Sequence, residues 1–315
     1  MDPGSELPAP PPRGEIEHCY RHPGIETGVH CTRCGRPICT ECMIPAPVGH
    51  QCPECVAEAR KEFRRGPGRR MAVAGAKSIA GTRLLLIAIG AVFVLEVVAG
   101  GPESLVRGPG ARDLIDLGAE NRVLVAQGQY WRLFTSMFLH AGLIHVAFNA
   151  WALYVFGAVL ERDIGRVRFL AIYLSTGLFA SATSYAFLVD PTNVAELGAV
   201  SVGASGAVFG VLGAFFIYNW RRRHQALANA RVNQIIPLLA LNLILTFAVG
   251  FIDWRAHVGG LVGGIVGGYL IEGYGRDRTT ERLTSALGIV VVLAGAALLT
   301  ALGTARIHAA FPDAF

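Results

Sequence analysis

Residues 203–206 read Gly-Ala-Ser-Gly, and residues 256–260 read Ala-His-Val-Gly-Gly. Each motif opens an apolar stretch, so Ser205 and His257 are both expected within a membrane. Polar side chains are costly to hold in hydrocarbon, and a nucleophile-type and a base-type residue at that depth therefore indicate a functional site. The pattern favours a nucleophilic serine assisted by a histidine base.

The composition agrees with a membrane protein. Hydrophobic residues make up 52% of the 315 positions, charged residues only 16%, and the mean hydropathy is +0.44. All seven cysteines and many charges fall in the first 70 or so residues. The arginines responsible for much of the net charge of +5 lie at the ends of apolar stretches, where they report topology, so no nucleic-acid partner is expected.

Apolar stretches long enough to cross a bilayer predict seven membrane helices. They cover residues 84–100, 136–160, 169–189, 205–220, 235–251, 254–272 and 284–303. Arginine clusters follow the second, fourth and sixth stretches, and such alternate loops are expected in the cytoplasm. The N-terminus is therefore predicted to be cytoplasmic and the C-terminus extracytoplasmic, with Ser205 and His257 near the outer face.

Glycines explain how the two helices could meet. They recur every four residues in the fourth and sixth stretches, at Gly206 and Gly210 and in the rows 259/263/267 and 260/264/268. Small residues at this spacing let membrane helices approach backbone to backbone.

His140, His145 and Asn149 are predicted at the start of the second helix, with His145 and Asn149 on one face and His140 about half a turn away. Attack by Ser205 on a peptide carbonyl creates an oxyanion that needs preorganised donors. The Ser205 backbone N–H, the Asn149 amide and the His145 ring N–H would serve.

Taken together, these motifs resemble the rhomboid family of intramembrane serine proteases. Trp131-Arg132, the His140–His145–Asn149 set, and the motifs at 203–206 and 256–260 occur in the family's order over about residues 84–272. The resemblance implies an all-α polytopic membrane protein with a six-helix core, here with one transmembrane helix added at the C-terminal end. It also implies a Ser–His dyad without an acidic third member or catalytic cofactor, and a transmembrane protein substrate in the lipid bilayer, cut near the outer face.

The resemblance assigns roles residue by residue. Ser205 would be the nucleophile and His257 the general base, with His145 and Asn149 in the oxyanion hole. Phe209 would stack against His257, and Glu161 would tie helix ends together.

Four further residues have alternative roles or none assigned. Trp131 and Arg132 match a family loop that lies partly in the outer leaflet and stiffens the fold, and their alternative role is an interfacial anchor. Asp253 is interpreted as a helix cap in preference to a hidden third catalytic member. Glu96, inside the first helix, has no assigned role.

The N-terminal cysteines form a second pattern. Four ligand pairs with a two-residue gap provide eight ligands, which is the number that two tetrahedral Zn²⁺ ions require: Cys19 and His22, Cys31 and Cys34, Cys39 and Cys42, Cys52 and Cys55. Seven cysteines in a cytoplasmic domain favour metal over disulfides. His18, His30 and His50 lack the spacing.

The segment resembles a B-box or RING-like zinc finger, in which alternate pairs share one metal. Cys19, His22, Cys39 and Cys42 would then hold one ion, and Cys31, Cys34, Cys52 and Cys55 the other. An unidentified cytoplasmic partner is expected for this finger.

The expected organisation is a disordered Pro-rich N-terminus (1–15), the zinc finger (16–58), a basic linker (59–82), the rhomboid core (83–275), and the seventh helix with an extracytoplasmic tail (276–315). A bacterial plasma membrane is the expected location. Two alternative functions predict different sequence features. An inactive rhomboid-like protein that binds membrane clients would be expected to lack Ser205 or His257, and a transporter would place polar groups at mid-membrane in repeated halves.

Overall fold

The computed structural model describes residues 17–46, 48–65, 79–187, 193–250, 252–271 and 278–312. The chain divides into two compact units, Met1–Lys77 and Ser78–Phe315. The segment predicted to be disordered (1–15) lies outside the described residues, as does most of the predicted linker (66–78).

The first unit is a small metal-finger-like fold. Strands β1 (Ile44–Pro45) and β2 (His50–Gln51) form an antiparallel hairpin, and helix α1 (Pro53–Arg65) follows. Its buried cluster consists of Ile38 and six of the seven cysteines, and the seventh, Cys34, is exposed. The predicted end of the finger at residue 58 falls within α1, which continues through a run of good helix formers to Arg65.

The second unit begins with α2 (Ala80–Gly100). An elaborate loop follows, made of α3 (Ser104–Arg107), α4 (Ala111–Asp116), β3 (Glu120–Asn121), α5 (Arg122–Ala126), α6 (Arg132–Thr135) and a 3-10 turn, Ser136–Phe138. The remaining elements are α7 (Leu143–Ala152), a π-helical turn (Leu153–Gly157), α8 (Ala158–Ile164), α9 (Arg166–Ala186), α10 (Val194–Gly198), β4 (Val200–Ser201), α11 (Ser205–Trp220), α12 (Ala226–Ala248), α13 (Trp254–Ile271) and α14 (Arg278–Ala310). Strand β3 pairs antiparallel with β4.

Within the described residues, five helical segments are long and apolar enough to cross a membrane: Ala80–Gly100, Leu143–Ile164, Arg166–Ala186, Ala226–Ala248 and Arg282–Ala310. The other two predicted stretches are also helical, α11 with 16 residues and α13 with 18. Exposed apolar side chains such as Ile87 and Val98 on α2 provide the surface that lipid requires. The prediction of an all-α polytopic membrane protein is thus confirmed.

One predicted boundary was wrong. The second apolar stretch starts at 136, but its helix starts at Leu143, after Gly142 at φ +116°. A side chain on Gly142 would lie 3.0 Å from the carbonyl oxygen of Val106, so the chain turns sharply there. His140 therefore lies in the loop before α7, and its predicted placement on that helix was wrong.

One glycine row of α13 packs against α11, as predicted, and the other packs against α9, which was not predicted. A Cβ on Gly260 would lie 2.1 Å from the Gly206 carbonyl oxygen of α11, and one on Gly264 would lie 2.1 Å from that of Gly210. On the adjacent face, a Cβ on Gly259 would lie 2.5 Å from Thr183 Oγ1 of α9. Only glycine allows α13 to lie this close to both helices.

Glu161 ties two helix ends together, as expected. Its buried carboxylate accepts hydrogen bonds from the Gly81 N–H (2.8 Å), the Thr82 N–H (2.7 Å) and the Thr82 hydroxyl (2.7 Å). These donors belong to the first turn of α2, where backbone N–H groups lack helical partners.

Candidate active site and metal clusters

Ser205 and His257 lie at the beginnings of two closely packed helices. Ser205 is the first residue of α11, and His257 lies in the first turn of α13. Phe209, one turn after Ser205, stacks on the His257 ring with centroids 4.3 Å apart and planes 19° apart. No hydrogen bond joins Ser205 to His257 in the described part of the chain, and such catalytic bonds often tighten only when substrate binds.

The turn before α11 brings His145 to Ser205. Gly203 has φ +135°, and a Cβ there would lie 2.8 Å from His145 Cε1, 2.9 Å from His145 Nε2 and 3.4 Å from Ser205 Oγ. The His145 ring edge and the Ser205 hydroxyl therefore border the same small space, which is open only because residue 203 is glycine.

The hydrogen-bond pattern assigns the His145 proton. The Ala141 backbone N–H donates to His145 Nδ1 at 3.3 Å, so that nitrogen acts as an acceptor. In a neutral imidazole the proton is then on Nε2, the atom that faces the space beside Ser205 Oγ. His145 is thereby prepared to donate a hydrogen bond.

Asn149 lies one helical turn after His145 on the same face. Its amide donates one hydrogen bond to the His145 carbonyl at 3.0 Å and has a second N–H to offer, and the residue is buried. The Ser205 backbone N–H starts a helix and has no intrahelical partner. The predicted three donors thus belong to elements that meet at Ser205.

His140 supports the Ser205 turn. Its Nδ1 donates to the Phe138 carbonyl at 3.2 Å, and its Nε2 accepts from the Ala204 N–H at 3.5 Å. The His140 N–H in turn donates to Glu96 Oε1 at 2.6 Å. Glu96, unassigned from sequence, therefore connects α2 to His140, and His140 in turn contacts the turn that leads into Ser205.

Asp253 is a helix cap, as preferred from sequence. Its Oδ1 accepts from the Ala256 N–H at 3.2 Å, and its Oδ2 accepts from the hydroxyls of Ser184 and Ser201, the latter at 2.7 Å. Among the described residues, the hydrogen bonds of this carboxylate come from these three donors and not from the His257 ring.

The loop residues Trp131 and Arg132 play different parts. Arg132 is buried and donates to the carbonyls of Ile115 (2.6 Å) and Ala119 (3.1 Å), which braces the loop. Trp131 is half exposed, with the Arg132 guanidinium 4.6 Å from its ring centre.

Two polar residues near the site were not identified from sequence. Thr246 Oγ1 lies 2.7 Å from His257 Nδ1, and Glu120 is buried beside Arg122 with one carboxylate oxygen lacking a partner among the described residues. Burial raises the pKa of Glu120 to about 8. Neither could be recognised, because a lone threonine in an apolar helix and an acid in a loop carry no motif.

In the first unit the cysteines form two clusters whose ligand atoms lie within 4.8 Å of one another. One comprises Cys19, His22, Cys39 and Cys42, and the other Cys31, Cys34, Cys52 and Cys55. This alternate sharing of ligand pairs agrees with the prediction, and His18, His30 and His50 belong to neither described cluster.

The ligand distances suit a tetrahedral metal. The edges of a Zn²⁺ tetrahedron are about 3.8 Å between two sulfurs and about 3.6 Å between sulfur and nitrogen. Cys34 and Cys52 have their sulfurs 3.7 Å apart, and His22 Nδ1 lies 3.2 Å from Cys39 Sγ and 3.5 Å from Cys42 Sγ.

The thiols within a cluster do not ionise equally. Burial opposes ionisation of Cys19, but hydrogen bonds from the backbone of Arg21, Cys39 and His22 outweigh it and lower the pKa of this thiol to about 6. Burial and the adjacent sulfurs of Cys19 and Cys39 raise the pKa of Cys42 to about 11. A cation is what would let all the sulfurs bind as thiolates.

Comparison with known proteins agrees with this geometry. Residues 127–273 match the Rhomboid domain. The chain is 36% identical over 203 residues to rhomboid protease GluP of Bacillus subtilis (strain 168), covering 64% of this chain and 37% of that protein. It is also 36% identical over 146 residues to the putative rhomboid protease YdcA of the same organism, covering 46% of this chain and 69% of that protein.

RHOMBOID-like protein 6, mitochondrial, of Arabidopsis thaliana is 36% identical over 171 residues, covering 52% of this chain and 51% of that protein. The chain therefore spans between about a third and about two thirds of the length of these relatives. The chain belongs to the rhomboid family.

Proposed function

We propose that this protein is an intramembrane serine endopeptidase that cleaves transmembrane segments of other proteins near the outer face of the membrane. The observation that carries the proposal is the shared space beside Gly203, bordered by the Ser205 hydroxyl and the His145 Nε2–H. An oxyanion formed by attack from Ser205 would develop in that space, next to a donor already oriented toward it.

The proposed reaction uses the dyad twice. His257 Nε2 takes the proton of Ser205 as its oxygen attacks the scissile carbonyl, and then gives a proton to the leaving amine. His145, Asn149 and the Ser205 N–H stabilise the oxyanion. His257 then takes a proton from water as the water oxygen attacks the acyl carbonyl, and returns that proton to Ser205 Oγ as the acyl bond breaks and the second product leaves.

The substrate must present an accessible carbonyl. A helical peptide hides its carbonyls in hydrogen bonds, so the favoured substrate is a single-span protein whose helix unwinds near the outer face, with small residues at the cut. The active form needs the lipid bilayer, or a detergent in its place, as solvent for α2 and α14.

The test is cleavage of a single-span reporter by the purified full chain in detergent. Ser205→Ala and His257→Ala are expected to abolish cleavage while keeping the parental melting temperature. His145→Ala and Asn149→Ala are each expected to lower kcat by about 100-fold, in line with loss of one oxyanion donor. Parental cleavage by Ser205→Ala would refute the proposal, and an inert parent that binds reporters would favour the client-binding alternative.

We also propose that the two clusters of the first unit each hold a structural Zn²⁺ ion. The donor set is seven thiols and one imidazole in two groups of four, which suits zinc better than the oxygen-binding metals. With a buried cluster made almost wholly of cysteine, this unit has little other means of staying folded.

Metal analysis of the purified chain tests this second proposal, with two zinc ions per chain expected. Cys39→Ser removes a ligand from one cluster only and should leave one ion, whereas His50→Ala, outside both clusters, should leave two. Zinc-free protein with an intact first unit, measured by resistance of residues 17–65 to proteolysis, would contradict it.

The remaining expectations are proposals of the same kind. The arginine distribution supports a cytoplasmic N-terminus, an extracytoplasmic C-terminus and a plasma-membrane location, and the domain boundaries at 16–58, 83–275 and 276–315 follow from the apolar pattern. A cytoplasmic partner for the finger is proposed because zinc modules of this type commonly bind proteins.

A further inference from the structure

Thr246 contacts the proposed catalytic base directly. Its Oγ1 lies 2.7 Å from His257 Nδ1, in a contact where Thr246 is 2% exposed and His257 is 9% exposed. The two residues lie on different helices, α12 and α13. The bond therefore connects a second helix to the ring that α13 carries.

The threonine proton is already committed elsewhere. Thr246 Oγ1 also lies 2.7 Å from the Asn242 carbonyl oxygen, one turn earlier in α12. A carbonyl oxygen cannot donate, so both 2.7 Å contacts of Thr246 Oγ1 are hydrogen bonds only when its single hydroxyl proton points to the Asn242 carbonyl. Toward His257, Thr246 is consequently an acceptor, and His257 Nδ1 is the donor.

This assignment determines which nitrogen of His257 can act as a base. A neutral imidazole with its proton on Nδ1 has a free lone pair on Nε2, the form that a histidine needs to take a proton from serine. In three-residue catalytic sites a carboxylate bonded to Nδ1 holds this tautomer. Here Asp253 is engaged by Ser184, Ser201 and the Ala256 N–H, so it is not that partner.

The burial pattern of α12 also associates Thr246 with His257. Of the described residues from 237 to 248 in this helix, Thr246 alone is buried. Its neighbours Leu245 and Phe247 are exposed apolar residues. The C-terminal half of α12 thus buries one side chain, that of Thr246, and the hydroxyl of this side chain contacts His257.

We propose that Thr246 is a positioning residue that takes the place of the missing acidic member. It holds His257 in the Nδ1–H tautomer and stops the ring from flipping, while Phe209 stacks on the ring face and sets its plane. The inference rests on the proposed protease function. Because the partner is a neutral oxygen, we expect it to orient the ring but to stabilise the imidazolium less than a carboxylate would.

The test compares Thr246→Ser with Thr246→Ala, since these two variants differ by one oxygen atom. Purified full-length proteins are assayed for reporter cleavage and for labelling of Ser205 by a fluorophosphonate, which reports nucleophile activation without a transmembrane substrate. Thr300→Val is the matched control, because Thr300 Oγ1 also donates to a carbonyl one turn earlier, that of Ala296 (2.9 Å), in α14.

Thr246→Ala is expected to lower kcat and the labelling rate by about tenfold with KM unchanged, the effect of one buried hydrogen bond of about 1.4 kcal/mol. Thr246→Ser should stay within about threefold of the parent, and Thr300→Val should match it. The inference is overturned if Thr246→Ala retains parental kcat, or if Thr246→Ser is impaired as much as Thr246→Ala, which would indicate packing of the methyl group. A parent that neither cleaves nor is labelled overturns the proposed function itself.

Discussion

Gly264→Ala is the sharpest perturbation of the helix pair that carries Ser205 and His257. The added methyl carbon would lie 2.1 Å from the Gly210 carbonyl oxygen and 2.8 Å from the Gly210 Cα. A carbon and a carbonyl oxygen rarely approach closer than about 3.3 Å. Because the obstructing atoms are backbone, no side-chain rotation can relieve the contact, and α11 and α13 must separate locally by about 1.2 Å.

Two consequences follow from this separation. Overpacking costs about 1–3 kcal/mol, and we expect the upper end because the obstacle is rigid, partly offset by the roughly 1 kcal/mol by which alanine favours a helix. A net loss of about 2 kcal/mol corresponds to a melting temperature lower by about 4–8 °C in a domain of this size. Misplacement of reacting groups by about 1 Å can reduce the rate by about 100-fold, so activity should fall far more than stability.

Reporter cleavage and thermal melting in detergent measure the two effects on the same preparations. Gly90→Ala is the matched control, because a Cβ at Gly90 in α2 meets nothing within 4 Å. It should keep parental cleavage and melt at the same temperature or slightly higher. Parental cleavage by Gly264→Ala would refute the argument that this glycine sets the helix spacing, as would an equal loss in Gly90→Ala.

Three further predictions concern single contacts. Gly203→Ala places a methyl group 2.8 Å from the His145 ring at a backbone angle that alanine rarely adopts, so cleavage should fall by about 100-fold or more; a parental rate would contradict the proposed oxyanion site. Glu161→Gln puts an amide where three donors need acceptors and should lower unfolding free energy by about 1–3 kcal/mol, visible as a lower melting temperature, whereas unchanged melting would show that the cap contributes little. Glu120→Gln should flatten the pH dependence of melting between pH 5 and 8: burial raises the pKa of Glu120 to about 8, so the folded state binds the proton more tightly than the unfolded state and loses stability as pH rises through this range. If the melting temperatures of the parent and of Glu120→Gln rise equally with pH in that interval, the raised pKa of Glu120 is contradicted.

Much of the site was predictable because its parts are local in sequence. Ser205, His145 and Asn149 each occur in short motifs at spacings that a helix converts into a shared face. The close packing of α11 and α13 was equally predictable, since glycines every four residues in an apolar stretch indicate close helix packing. Ligand count and spacing predicted the eight candidate metal ligands, and the resemblance to a B-box or RING-like finger predicted that alternate pairs lie together, as they do in the structure.

The parts that were missed depend on contacts between distant segments. His140 was placed on α7, because hydropathy does not detect the turn that Gly142 makes against Val106. Glu96 had no role until the fold placed its carboxylate against the His140 N–H, 44 positions away. A carboxylate or hydroxyl satisfies its hydrogen-bonding needs with whatever the fold brings near, so its partner cannot be found from local pattern.

The sequence by itself determined that this is a polytopic membrane protein, and it supplied a candidate nucleophile, a candidate base and eight candidate metal ligands, because hydrophobic length, residue chemistry and short spacings are local properties. Only the tertiary structure decided which nitrogen of His145 and of His257 carries the proton. That choice depends on Ala141 for His145, and for His257 on Thr246, which reaches the ring from a neighbouring helix. A tautomer is set by the partner of the opposite ring nitrogen, and that partner is known only once the chain has folded.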